Sequence, residues 1–325
     1  MLLPETFAAA LAMMLVSMVC WGSWTNTWRL TRSWRLEFFH CDYALGVMLA
    51  AVAAAVTGGL LFGPPNFLDN LRTADGAAMA WAAAAGACLN LGNFLLMAGI
   101  ARVGMTVAFP VAVGFALVVG TVLSYLVHPL GDPTLLAAGV ALVFLAVLTN
   151  SLVYRSAGAA KVQGGGGLVM CLASGVLFTF CGPMVAKALT APHPVAPYGA
   201  ALLYAAGSVV VTLPLLAWLL RNPIGGGRLR FGDYLGGGTR NHLAGLAGGL
   251  VWGSGMVTSF LAAGLAGMAV AGAVGQANPL VAAAWGIFVW HEFRGATRRT
   301  HALLALMIGL YTAGLVLLSL SFRAA

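Results

Sequence analysis

The chain has 325 residues, of which 61% are hydrophobic and only 7% charged, with a formal net charge of +8. A water-soluble domain carries about a quarter charged residues, so a soluble enzyme, a nucleic-acid-binding module and a disordered chain are excluded and an integral membrane protein is left. The positive charge sits in short gaps between apolar runs, as orienting charge does in membrane proteins, and not in the continuous stripe of a nucleic-acid binder.

A spanning helix needs roughly 20 mainly apolar residues. Ten stretches qualify, approximately 6–28, 41–62, 76–101, 105–127, 133–154, 165–188, 196–219, 241–263, 267–290 and 300–321. They lack the two-residue alternation of barrel strands, so the expected fold is an all-α polytopic membrane protein with ten transmembrane helices.

In chain order, the first run has no Lys or Arg ahead of it and is read as a retained helix, not a signal peptide. It ends in a polar, aromatic cluster of Trp21, Ser23, Thr25 and Asn26. Glu37 and Asp42 stand at the start of the second run, where an acid can cap a helix. The third run carries Asn90 and Asn93, three apart and so on one helical face. Phe109 and Pro110 open the fourth. A short linker, 156–164, divides the chain into 1–155 and 165–325. Gly164 to Gly167 lack the Gly-Lys-Ser/Thr that a phosphate loop needs.

The sixth run holds Phe178 and, near its outer end, Lys187, placed to snorkel. Residues 221–240 are the longest hydrophilic segment and read as a flexible connector. In the eighth run Gly245, Gly249 and Gly253 lie four apart, the small-residue face of a close helix crossing, ahead of Trp252. The ninth contains Gln276-Ala277-Asn278-Pro279. Pro279 removes a backbone donor and disfavours helix at Asn278, so the backbone is expected to open there, as it can where it lines a cavity. His291-Glu292 begins a zinc signature, but Gly295 stands where the second His belongs, so no metal site is expected. The five cysteines have no C-x-x-C spacing and read as free thiols.

Lys and Arg counts orient the chain. Thirteen fall on one side (Arg29, Arg32, Arg35, Arg102, Arg155, Lys161, Arg221, Arg228, Arg230, Arg240, Arg294, Arg298, Arg299) and three on the other (Arg72, Lys187, Arg323). The first side is expected to be cytoplasmic and both termini to lie outside. A shift of 163 residues lays Gly104-Met105-Thr106-Val107-Ala108 over Gly267-Met268-Ala269-Val270-Ala271, and Ala82, Gly86 and Asn90 over Gly245, Gly249 and Gly253. Five spans per half put the second repeat upside down. Inverted repeats of this kind are a transporter feature, with the substrate near the midplane between halves.

All eight acids lie at span ends or in loops, so no deep acid pair suggests an intramembrane enzyme. The deep polar groups are amides beside aromatic rings. Amides offer donor and acceptor together, and Trp can stack on a flat ring or cover a sugar face. The expected substrate is therefore small, neutral and polar. Trp21, Asn90, Asn93, Phe109, Phe178, Trp252, Gln276 and Asn278 are the candidate substrate-binding residues. Glu37, Asp42 and Glu292 are the candidates for proton coupling.

Several stretches together carry a family likeness. They are Cys20-Trp21-Gly22-Ser23-Trp24-Thr25-Asn26-Thr27, Trp34-Arg35-Leu36-Glu37-Phe38-Phe39 with Asp42-Tyr43, Gly104 to Pro110, Gly248-Gly249-Leu250-Val251-Trp252-Gly253, and Gly275-Gln276 through Trp285-Gly286-Ile287-Phe288 to Trp290-His291-Glu292-Phe293. In them the chain resembles the ureide permease group of the drug/metabolite transporter (DMT) superfamily, near its glucose/ribose and rhamnose porters. The resemblance implies two inverted five-helix repeats and proton-coupled uptake of a ureide such as allantoin, or of a nucleobase. A monosaccharide symporter and a drug or metabolite exporter are the alternatives. Plant members carry a long central loop; residues 155–164 are too short for it. The expected setting is the cell inner membrane, with a small-molecule substrate, possible protons and bilayer lipid as partners. No nucleic acid and no cofactor are expected, and the protein is expected to be a monomer or a homodimer.

Overall fold

The structure is a computed structural model that describes residues 1–31, 34–62, 65–103, 108, 110–156, 165–224, 226–291 and 294–323; all regular elements among them are helical. Helix α1 spans Phe7–Ser23, capped where Thr6 accepts a hydrogen bond from the Ala9 N–H, and α2 is a short turn, Asn26–Arg29. Helix α3 (Leu36–Ala54) runs on into a π-helical stretch, Ala55–Leu60. Helix α4 (Phe67–Thr73) leads into α5 (Gly76–Val103). A π-helical turn, Pro110–Gly114, opens α6 (Phe115–Val127). There follow α7 (Pro133–Ser156), α8 (Gly165–Thr190), α9 (Pro197–Arg221) and the short α10 (Phe231–Leu235). Helix α11 (Thr239–Gly275), α12 (Asn278–Ala284) with a π-helical turn Trp285–Val289, and α13 (Arg298–Arg323) complete the chain.

Among the described residues eight helices are long and apolar enough to cross a bilayer, and two shorter apolar segments cover Val111–Val127 and Asn278–Val289. The chain is a multi-pass membrane protein. Helix α11 runs for 37 residues, and at about 1.5 Å per residue it exceeds a hydrocarbon core of roughly 30 Å by a wide margin. It is broken at Gly267, with φ 77° and ψ 152°, a conformation that only glycine adopts without strain. The break lies where the boundary between the eighth and ninth spans is expected. Residues 104–107 and 109, where the fourth span is expected to begin, lie outside the described residues.

Helix α5 packs on α8 and α9, α3 on α11 and α9, α1 on α11, α6 on α8, and α7 on α13. Backbone-to-backbone crossings fix two of these pairs. A Cβ at Gly249 would strike the Tyr43 carbonyl and Gly46, while Gly245 faces Asp42 and Gly253 faces Val47 and Ala50, so the three glycines all turn toward α3. In the α5–α9 pair a Cβ at Gly86 would strike the Tyr204 carbonyl, and one at Gly207 the Ala83 carbonyl. Without a hydrophobic force between helices in lipid, such close approach supplies the packing.

Residues 221–240 are not the free connector expected from their composition. The Ile224 N–H donates to Glu37 Oε1 at 3.0 Å, and Arg35 donates to the Gly226 carbonyl at 3.0 Å. Tyr234 on α10 donates its hydroxyl to Asp42 Oδ1 at 2.7 Å, with its ring 6.2 Å from that of Trp34. The Gly-rich composition that suggested flexibility instead admits Trp34, which lies against Gly237. Gly225 lies outside the described residues.

Candidate functional site

One cavity of about 250 Å³ lies among α1, α5, α6, α8, α11 and α12. Six of the residues expected from sequence line it: Trp21, Asn93, Phe178, Trp252, Gln276 and Asn278. Phe109 and Glu292 lie outside the described residues. Asn90 is corrected. Its amide is 2% exposed and donates to the Ser208 carbonyl at 3.1 Å and the Thr212 hydroxyl at 2.8 Å, which ties α5 to α9 away from the cavity.

Three aromatic rings form one wall. Trp21 and Trp252 stack at 5.7 Å and 21°, and Trp252 and Tyr204 at 6.4 Å and 19°. The Trp21 Nε1–H donates to the Trp252 carbonyl at 3.3 Å, and the indole rests against Gly275 and Gly255. These glycines are thin because the indole needs their space.

Beside this wall, the chain opens where Pro279 predicts. Helix α11 ends at Gly275, α12 starts at Asn278, and Gln276 and Ala277 form the turn between them. Asn278 Nδ2 donates to the freed Gly275 carbonyl at 3.1 Å. Its amide therefore serves the break, while Gln276 lines the cavity. Asn93 Nδ2 is buried with no hydrogen-bond partner among the described residues. Each such donor is costly unless something arrives to meet it.

Sequence reasoning did not assign Trp24, Thr25, Thr121, Ser124, Asn150 and Tyr204, all of which line the cavity. Asn150 gave the same signal as Asn93, a lone amide in an apolar run. Thr121 and Ser124 were legible as hydroxyls three apart on one face. Ser23 and Asn26, in the cluster ending the first run, instead accept from Trp285 Nε1 at 2.9 Å and Trp290 Nε1 at 2.6 Å. No Asp, Glu, Lys or Arg lines the cavity among the described residues. Lys187 lies 4.7 Å over the Trp81 ring.

The proton-coupling candidates Glu37 and Asp42 stand at the start of α3, outside the cavity lining. Neither is the N-cap; that position is Arg35. Glu37 is 2% exposed and held by Arg35 through two bonds of 3.2 and 2.9 Å. Asp42 accepts from Trp34 Nε1 at 3.2 Å and from Tyr234, and lies 2.9 Å from His242 Nδ1. Burial, and then the bond to Asp42, push the Tyr234 hydroxyl above its ordinary value.

A multi-pass helical protein with a solute-sized cavity between its helices, uncharged among the described residues, belongs to the class of membrane carriers. The comparisons narrow the class. The pattern of the ureide permease family matches residues 39–164 and 166–321. Ureide permease 1 of Arabidopsis thaliana is 29% identical over 99% of both chains, and ureide permease 4 of the same plant is 25% identical over 99% of both. A protein known from a crystal structure shares the fold, with TM-score 0.66 and 15% identity over 96% of this chain and 99% of its own. The chain belongs to the ureide permease family. It is a transporter, not an enzyme.

Proposed function

We propose that this protein moves a small neutral ureide such as allantoin, or a nucleobase, across the cell inner membrane by alternating access coupled to protons. The observation that carries the substrate reading is Asn93, a cavity-lining amide whose buried Nδ2 has no partner among the described residues, in a cavity that no charged residue lines among them. A carbonyl of a ureide or a nucleobase meets that donor. The Trp21–Trp252–Tyr204 wall offers its flat partner a stacking face. At about 250 Å³ the cavity is at or below the lower end of ligand sites, roughly 300–1,000 Å³. That size favours a metabolite over the larger apolar cargo of a drug exporter. The family name supports the same reading.

Ten spans in two inverted halves, residues 1–155 and 165–325, are part of this proposal. Splitting α11 at Gly267 gives five apolar segments per half. Exchanging each segment with its counterpart five places on then turns α1–α11 packing into α8–α5, α3–α11 into α9–α5, and α6–α8 into α12–α1, all of which are packed pairs. The crossing glycines follow the same exchange, Gly249 with Gly86. The arginine-rich end, which includes the Arg35–Gly226 tie, is assigned to the cytoplasm by the bias of basic residues.

The test is thermal stabilisation of the detergent-purified protein by allantoin, uracil, hypoxanthine, glucose, ribose and rhamnose, since a ligand of the folded state raises its apparent stability. Stabilisation by the planar nitrogen compounds alone is the expected result. Stabilisation by a monosaccharide alone would overturn the substrate class and make the tryptophans sugar-covering platforms.

A further inference from the structure

Helix α7 packs chiefly on α13, and among the described residues it reaches the cavity through one side chain, Asn150. The residues on either side of it are answered within their own helix. Thr149 donates to the Leu145 carbonyl at 2.8 Å and Ser151 to the Val147 carbonyl at 3.2 Å. Asn150 is 9% exposed, and its side chain makes no hydrogen bond among the described residues. It thus brings a donor and an acceptor to the cavity wall, at a depth where an unmet amide is costly. Asn90 shows what a structural amide looks like in this protein, bonded twice to α9. Nor does the packing of α7 call for an amide. The 163-residue shift lays Ala313 of α13 over Asn150, and α13 supplies no described residue to the cavity.

Asn150 shares these features with Asn93, whose Nδ2 is buried without a partner among the described residues. Asn93 stands as far beyond Gly76, the first residue of α5, as Asn150 does beyond Pro133, the first of α7. The third and fifth spans run the same way in the ten-span arrangement. At about 1.5 Å per residue the two amides therefore lie at about the same depth. Helices α5 and α7 are not a packed pair among the described residues, so the amides reach the cavity from separate helices. A solute with hydrogen-bonding groups at one end answers one amide and leaves the other buried and unmet.

We propose that Asn150 is a specificity-determining residue of the cavity, the second of two amides that hold a solute bearing hydrogen-bonding groups at both ends. Allantoin is such a compound. It joins a ureido arm to a hydantoin ring, and each part carries N–H and C=O groups. Hydantoin has the ring without the arm. The ring takes the Trp21–Trp252–Tyr204 face and Asn93, and the arm takes Asn150. The proposal rests on the substrate reading above and selects the two-ended compounds within it.

The experiment titrates the detergent-purified full chain with allantoin and with hydantoin, and reads each apparent Kd from thermal stabilisation. Wild-type protein is expected to bind allantoin about tenfold more tightly than hydantoin, the difference that one hydrogen bond makes. In N150L the affinity for allantoin falls to near that for hydantoin, and the affinity for hydantoin is unchanged. The melting temperature of the empty protein stays close to that of wild type, because no bond within the protein is lost. Unchanged allantoin binding in N150L overturns the proposal. An equal loss for both compounds overturns it too, as does wild-type protein that binds hydantoin as tightly as allantoin. Should N150L not fold, N150D, which keeps the shape and loses the amide donor, is read in the same way. Stabilisation of wild-type protein by neither compound brings down the substrate reading itself.

Discussion

Asn90 and Asn93 stand one helical turn apart, and the structure gives them opposite tasks. Asn93 makes no hydrogen bond within the described protein through its Nδ2, so Asn93→Ala should leave the melting temperature of the empty protein nearly unchanged. It should weaken ligand binding by about 1–3 kcal/mol, roughly five- to 150-fold, read as a smaller ligand-induced thermal shift. Asn90→Leu should do the reverse, since it removes two buried hydrogen bonds that tie α5 to α9. Its cost is about 1–3 kcal/mol of stability, measured by thermal unfolding without ligand. From sequence the two amides were indistinguishable, because one helical face contains both and only the neighbouring helix decides which is answered. Asn150 was missed for the same reason.

At the scale of elements, two crossings and one strap carry the arrangement. Gly249 touches the Tyr43 carbonyl and Gly46, so Gly249→Val must push α11 from α3 and should sharply reduce the yield of folded protein on size-exclusion chromatography. The four-residue spacing of Gly245, Gly249 and Gly253 made this face legible in the sequence. The strap was not legible: a basic, Gly-rich segment looks the same whether it is free or, as here, held to Asp42 by Tyr234. Because Tyr234 is raised in the folded state, its neutral form contributes to stability throughout the range below the ordinary tyrosine value of about 10. That contribution is lost as pH rises through the raised value. Tyr234→Phe should therefore melt earlier than wild type by a constant margin from about pH 6 to 9, and the margin should narrow only in stronger alkali.

For the whole molecule, the all-helical multi-pass fold follows from hydrophobic run length alone, because lipid leaves the backbone no partner but itself. The break at Gln276 to Asn278 followed from Pro279, and the cavity lies beside it. What run length could not supply was the geometry of the break within Thr239–Gly275, where Gly267 takes φ 77° and ψ 152° without interrupting the hydropathy. Nor could it show which polar residues converge, since that depends on how distant helices rotate against one another. The central claim is that the uncharged cavity carries a ureide or nucleobase. Its most direct test is counterflow, in which wild-type and Asn93→Ala protein in liposomes loaded with unlabelled allantoin or uracil take up the labelled compound at equal pH. The account predicts a transient overshoot in the wild type that is lost or strongly reduced in Asn93→Ala. An overshoot with glucose, ribose or rhamnose and none with allantoin or uracil would contradict it.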